Sequence, residues 1–198
     1  MQIVRDLVSA VDAFDATERH HIDDTLVWLA STDDIFRRRR PATPPKHLVS
    51  YVVVTEPRRR AIYLVDHRKA GLWLPTGGHV EPGEHPRDTA RRELREELGV
   101  DAEFTVTGDA PLFVTVTTTV GIGTPHVDVS LWYLVAADHS TSFTLDPDEF
   151  RCGRWWTTDE IETADPAQFD PNFARFVRKQ HSTLDPLNPV PPVEASSR

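Results

Sequence analysis

Three carboxylates, Glu93, Glu96 and Glu97, stand within five residues of one another in the stretch GGHVEPGEHPRDTARRELREELGV, residues 77–100. Like charges at helical spacing repel by about a few tenths of a kcal/mol per exposed pair, and by more where water is partly excluded. Something cationic has to hold them. Arg92 and Arg95 lie in the same stretch and could neutralise one or two, as on a surface helix laced with ion pairs. The other candidate is a hard divalent cation such as magnesium, which prefers clustered oxygen ligands and commonly bridges carboxylates to substrate phosphates.

The neighbouring residues say how these acids are positioned. Pro86 suits a first helical turn, Asp88 favours the positive end and Gly99 supplies a left-handed stop, so the pattern predicts a helix over 86–98. Ala90, Leu94 and Leu98, four apart, form its core stripe. At about 100° per residue, Glu93 and Glu97 fall on one flank of that stripe and Glu96 lies further round the same flank. The helix therefore projects all three carboxylates along one edge. Before it, LPTGGHVEPGE reads as a Gly-rich loop leading from a short strand into the helix. There Gly77, Gly78 and Gly83 let the backbone pass close to an ion or a phosphate.

Gly78, Glu84, Arg92, Glu93, Leu94, Glu96, Glu97, Gly99 and Val100 match the pattern G-x5-E-x7-R-E-U-x-E-E-x-G-U, U being aliphatic, without a mismatch. At average residue usage such agreement arises in on the order of one window in a billion, so coincidence does not account for it. The chain resembles the Nudix hydrolase family, with the specific match over residues 72–100. That resemblance implies an α/β fold of the Nudix type, an αβα sandwich around a mixed sheet. It also implies hydrolysis of a nucleoside diphosphate linked to another group, with Mg2+ as cofactor or Mn2+ in its place.

Carried over position by position, the resemblance makes Glu93 and Glu97 the principal metal ligands. Glu96 becomes a further ligand, directly or through water, and the Gly77 carbonyl a backbone ligand. Arg92 and Glu84 correspond to the pair that orients helix and loop. Where the family often has Pro-Gly-Gly, this chain has Pro75-Thr76-Gly77-Gly78. Family members often draw a general base or an extra metal-binding glutamate from a later loop. Glu149, six residues before Trp155 in DPDEFRCGRWW, has a similar spacing and is expected to be that ligand or base.

Around this stretch, β-branched residues dominate runs at 48–55, 61–66, 112–120 and 127–137, which predicts strands. In the last run Val127, Val129, Leu131, Tyr133 and Val135 alternate with Asp128, Ser130 and Trp132, the mark of a strand with two different faces. A second helix is expected at 171–180, with Pro171 in its first position. Near the start, Val4, Leu7, Val8, Val11 and Phe14 recur at helical spacing. Asp15 or Thr17 could cap a following helix carrying Ile22, Leu26 and Leu29. The expected organisation is a helical extension over 1–40, a Nudix domain over 45–182 and a Pro-rich tail over 183–198. The Arg37–Arg40 run and PATPP mark the first boundary.

Composition limits the remaining readings. At 198 residues and 39% apolar content, one well-buried domain plus an extension is the default. The single cysteine, Cys152, excludes a disulfide framework, suits a cytoplasmic location and is expected to be an inert buried thiol. No run reaches the ~20 apolar residues of a membrane span, and the first residues lack the pattern of a signal peptide. A net charge of -9 argues against an extended nucleic-acid surface and leaves a small nucleotide as partner, its charge screened by metal.

Substrate contacts are expected from Arg68 and Lys69, in the turn before GLWLP, for terminal phosphates, from Trp73, Trp132, Trp155 or Trp156 for a base where these are not core, and from His126 or His47 beside strands. The leading function is a pyrophosphohydrolase of a canonical or oxidised nucleoside triphosphate. ADP-ribose, a nucleotide sugar or a dinucleoside polyphosphate are alternative substrates, and a non-catalytic nucleotide sensor is the alternative class. Diphosphate isomerisation would need a catalytic cysteine, and Cys152 falls late in the chain. The N-terminal helices could pack on the core or on a second copy, which leaves a homodimer open.

Overall fold

The run KHLVSYVVVTE forms strand β1 (Lys46–Glu56) at the centre of a mixed seven-stranded sheet. The computed structural model describes residues 1–39, 43–101, 104–119 and 125–184. Along one edge β1 pairs in parallel with β6 (Val127–Ala136), and β6 pairs antiparallel with β5 (Phe113–Thr118). Nearly every β1 and β6 residue is buried, as expected of strands covered on both faces. The alternation in β6 does separate two faces, but both are covered. Trp132 and Ser130 are as inaccessible as their aliphatic neighbours, and the Trp132 indole N–H donates to Thr115 Oγ1 at 2.9 Å.

The other edge of β1 is forked, and the fork positions the site. β2 (Ala61–His67) pairs with β1 only over Val54–Glu56, next to the tight connection between them. Beyond that point the two strands separate. β3 (Leu72–Leu74) stays with β2 while β4 (Thr76–His79) joins β1, so residues 72–79 fill the opening. β7 (Phe150–Thr157) closes the far edge of β2. The Gly-rich stretch is thus strand as well as loop. At Gly77 a Cβ would run into the Ser50 carbonyl and the Tyr51 Cα, so only glycine lets β4 lie this close to β1.

Helices cover both faces. On one lie α1 (Gln2–Ser9), α2 (Ala16–Ser31) and α3 (Pro86–Leu98), whose Val8, Ile22, Leu29, Ala90, Leu94 and Leu98 share a core with Leu48, Val52, Val129 and Leu131. On the other lie α4 (Thr158–Thr163) and α5 (Phe173–Leu184), packed through Ile161, Phe173, Phe176 and Val177 onto Val53, Leu64, Trp132 and Trp156. Each fully buried side chain of this size contributes about 1.5–3 kcal/mol relative to exposure. The result is the expected αβα sandwich.

The N-terminal helices also guard a sheet edge. β5 is the last strand, and the Val114 N–H donates to Glu18 Oε1 of α2 at 3.2 Å, so a backbone group that could recruit another strand is covered. Glu18 is fully buried and accepts from Lys179 Nζ of α5 at 2.8 Å, while Lys179 also donates to the Asp12 carbonyl at 2.6 Å. Burial pushes the Glu18 carboxyl up and the Lys179 amine down, and each opposes the other's shift. Arg175 adds a second tie, to Asp15, the residue whose side chain caps α2. Helices from opposite faces are latched around the β5 edge.

Several expectations change. α5 begins at Phe173, because the Asp170 side chain accepts from Asn172 N at 2.7 Å and draws Pro171 into a turn before the helix. β7 and α4 lack a clean apolar alternation and escape a pattern search. Gly153 in β7 has no side chain because a Cβ would strike the Tyr63 ring. Cys152 is exposed, the reverse of the buried thiol expected, since it lies on this edge strand. Arg40 and the start of the Pro-rich connector fall outside the described residues, as does the tail from residue 185 onward. Among the described residues no helix is long and apolar enough to cross a membrane.

Candidate active site

α3 is held rigidly at both ends. His85 caps it, its Nδ1 accepting from Arg87 N at 3.1 Å, and Pro86 takes the first position. The Pro86 carbonyl accepts from Ser50 Oγ of β1 at 2.7 Å, which fixes the start of the helix on the sheet. Gly99 ends it in the left-handed region, φ 69°, with its N–H on the Arg95 carbonyl. The loop before α3 is tied back by Glu84. Its Oε1 accepts from Arg92 Nε at 3.0 Å, and its Oε2 from Arg92 Nη2 at 3.2 Å and Thr89 Oγ1 at 2.7 Å. Burial works against the Glu84 charge, but these bonds outweigh it and hold the carboxyl below its ordinary range. Glu84 in turn keeps Arg92 firmly protonated.

Arg92 also reaches the helix acids. Its Nη1 donates to Glu93 Oε1 at 2.7 Å and to Glu96 Oε2 at 3.3 Å. Glu96 stays largely exposed, whereas Glu93 is nearly covered. Arg95 takes no part, because it pairs with Asp101. Arginine therefore answers for Glu93 and Glu96.

Glu97 is different. It is 7% exposed, and among the described residues its one donor is the Gly77 N–H, at 3.0 Å to Oε2. Glu149, half-buried in the loop before β7, brings its carboxyl within hydrogen-bonding range of Glu97 and its charge close to Glu93. Burial first, then the Glu93 and Glu149 charges, push the Glu97 carboxyl up to about 9. Glu93 is raised too, by burial, against the pull of Arg92. A Cβ on Gly78 would overlap the Glu93 carboxylate, so this glycine leaves the room that the acid occupies. Glu93, Glu97 and Glu149 form an oxygen-rich donor set short of positive charge, which fits a hard divalent cation.

A family model described as NUDIX domain matches residues 45–180. The chain belongs to the NUDIX family. The chain is 24% identical over 122 residues to the NAD-capped RNA hydrolase ndx-9 of Caenorhabditis elegans, covering 59% of this chain and 29% of that protein. It is 59% identical over 34 residues to the CTP pyrophosphohydrolase of Escherichia coli (strain K12), covering 17% of this chain and 25% of that protein. The chain thus spans under a third of the length of each of these relatives. A crystal structure of a NUDIX-family hydrolase from Clostridium perfringens superposes with a TM-score of 0.54 at 20% identity, covering 72% of this chain and 98% of that one, a likeness of fold.

Within this NUDIX protein the residues expected to touch substrate divide. Arg68 and Lys69 are exposed in the β2–β3 turn, but Arg68 already serves the Glu149 loop. Its Nε donates to the Pro147 and Phe150 carbonyls, and its backbone N–H to the Glu149 carbonyl at 2.8 Å. Trp73 lies on the α5 face, edge-on to Trp156 at 5.2 Å, with the Arg154 guanidinium over both rings. Trp155 and Trp156 point to opposite faces, as strand geometry requires. Trp156 is core, whereas Trp155 stacks half-buried on His139. His126 and His47 come together on the α5 face with two residues not singled out from sequence, His79 and Asp128.

Asp170 was also missed. It is 9% exposed, and burial pushes its carboxyl up to about 6. No short motif carries these residues, since β-sheet register and a turn assemble them. Nothing in the linear pattern marked them beyond a histidine next to a strand.

Proposed function

We propose that this chain is a pyrophosphohydrolase that uses Mg2+, or Mn2+ in its place, to cleave a nucleoside diphosphate linked to another group, a nucleoside triphosphate first among them. The observation that carries the reading is Glu97, buried beside two further carboxylates with, among the described residues, a single N–H to balance it. Glu93 and Glu97 would hold the ion, with Glu96 reaching it through water and the Gly77 carbonyl beside it. When bound, the ion neutralises charge on the diphosphate and lowers the pKa of a coordinated water. Glu149 would add a ligand or take the proton from that water. Arg92 and Glu84 keep helix and loop in register, and Arg68 keeps the Glu149 loop against them. The relatives named above are described as hydrolases of capped RNA and of CTP, which supports a nucleotide substrate. The reading assigns catalysis to residues 45–182 and leaves the N-terminal helices as a brace on the β5 edge.

The test is release of phosphate or nucleotide from a panel of nucleoside triphosphates, oxidised dGTP, ADP-ribose, nucleotide sugars and dinucleoside polyphosphates. Wild type and Glu97→Gln are compared with Mg2+ and with EDTA. Expected is turnover that EDTA abolishes and that falls by about 10²–10³-fold in Glu97→Gln, the scale of losing a direct contribution to transition-state charge. Silence across the panel with nucleotide still bound would replace the hydrolase by a sensor.

A further inference from the structure

The α5 face of the sheet carries a second cluster, built mainly from nitrogen. His47 lies near the start of β1, His79 ends β4, and His126 and Asp128 flank the first residue of β6. Register unites them. His47 pairs with Asp128 across the parallel β1–β6 ladder, and His79 pairs with Val49 on the other edge of β1. Nε2 of His47 stands 3.0 Å from Nε2 of His79 and 3.1 Å from Oδ1 of Asp128, and Nε2 of His126 stands 3.5 Å from that same oxygen. All four ligand atoms lie within 4.8 Å of one another.

Two features set the chemistry. His47 is fully buried with Nδ1 2.8 Å from the Pro44 carbonyl. A carbonyl only accepts, so Nδ1 carries a proton and Nε2 is the ring atom turned into the cluster, where it is available as a ligand. The Thr119 hydroxyl, 3.0 Å from Nδ1 of His126, orients that ring with Nε2 inward. The second feature is Asp128, whose Oδ1 is shielded from solvent and receives no hydrogen bond among the described residues, although His47 is so near. A buried carboxylate oxygen among ring nitrogens and without a hydrogen bond is costly unless a positive centre stands between them. Four ligands at about 2.0–2.2 Å from a tetrahedral zinc ion lie about 3.3–3.6 Å apart; the 3.5 Å separation falls in that range, and the 3.0 and 3.1 Å separations need to open by only a few tenths of an ångström. Imidazole suits zinc and its first-row neighbours, whereas magnesium takes oxygen.

We propose that His47, His79, His126 and Asp128 form a zinc-class site, separate from the carboxylates of α3, that staples β4 to β1 and β6. Four protein ligands leave no open position, which is the pattern of a structural ion. β4 carries Gly77, whose N–H holds Glu97, so the staple fixes the strand on which the acidic site rests. The proposal does not depend on the chain being a hydrolase.

The test is metal analysis of the full chain purified from zinc-supplemented cells and dialysed into metal-free buffer, followed by Co2+ reconstitution of the stripped protein. Expected is about one zinc per chain in wild type and in Glu97→Gln, with intense tetrahedral Co2+ absorption in the visible. His126→Ala, checked for folding by circular dichroism, should retain less than about a tenth of the metal. Should that variant fail to fold, Asp128→Asn keeps the side-chain shape and should show the same loss. A wild-type chain that holds no zinc and gives only weak, octahedral Co2+ bands overturns the proposal and leaves a shared proton between His47 and His79. Full zinc occupancy in both variants overturns it equally.

Discussion

The two sides of β4 make a useful comparison. On one side the Gly77 N–H meets the Glu97 carboxylate, and the donors are oxygens from α3 and the Glu149 loop. On the other the His79 ring meets His47, and the donors are three imidazoles and one carboxylate from β1, β4 and β6. The first set is held by arginine at its rim, and among the described residues no cationic side chain reaches Glu97. The second has its rings oriented from behind by a carbonyl and a hydroxyl. A four-residue strand therefore separates a hard-cation environment from a borderline one. With both proposed ions bound, donor type, rather than distance, would keep the two from exchanging.

If β4 is the shared element, damage to it should remove both environments at once. Gly77→Ala would drive a Cβ into the Ser50 carbonyl and Tyr51 Cα of the central strand, atoms that cannot step aside. The expected cost is about 3 kcal/mol or more, read as a lower urea midpoint, with both turnover and zinc content lost. An unchanged midpoint with either property intact would break the comparison. Gly78→Ala sharpens it. There the Cβ meets only the end of the Glu93 side chain, which can swing away. The fold should survive within about 1 kcal/mol and zinc content should hold, while hydrolysis falls about 100-fold because one carboxylate is displaced. Equal loss of zinc would show that the two sides are coupled.

The same contrast explains what was legible from sequence. A helix gathers residues close in the chain, so Glu93, Glu96 and Glu97 and their shared flank could be read directly, while the Glu84–Arg92 pair came from the resemblance. The two N-terminal helices followed from periodicity, and the sandwich from the family resemblance that the motif carries. A sheet gathers residues far apart, and His47, His79, His126 and Asp128 meet only once β1 has β4 on one edge and β6 on the other. No local spacing encodes that. The Glu18–Lys179 pair was hidden for the same reason, because 161 residues separate two charges that patterning alone would place in solvent. Arg68 was read as a phosphate contact because an exposed turn arginine looks available. Its bonds to the Pro147 and Phe150 carbonyls depend on where the Glu149 loop lands.

The smallest expected effect is a proton count, and it separates the two sides by linkage. Burial, then the Glu93 and Glu149 charges, push the Glu97 carboxyl from its ordinary 4.5 to about 9. The metal-free folded chain therefore keeps a proton that the unfolded chain releases. The stability contributed by this group is fully present below about 4.5 and is lost as pH rises to about 9. A cation binding at Glu97 must displace that proton, so apparent Mg2+ affinity should rise by up to about tenfold per pH unit below 9 and level off above it. Calorimetric titration in buffers of different ionisation enthalpy reads the released proton directly. Glu97→Gln should flatten the pH dependence of both stability and Mg2+ affinity while leaving zinc uptake on the other side of β4 untouched. Mg2+ affinity independent of pH from roughly 6 to 8 would mean that the ion binds away from Glu97, and the oxygen side of the comparison would lose its centre.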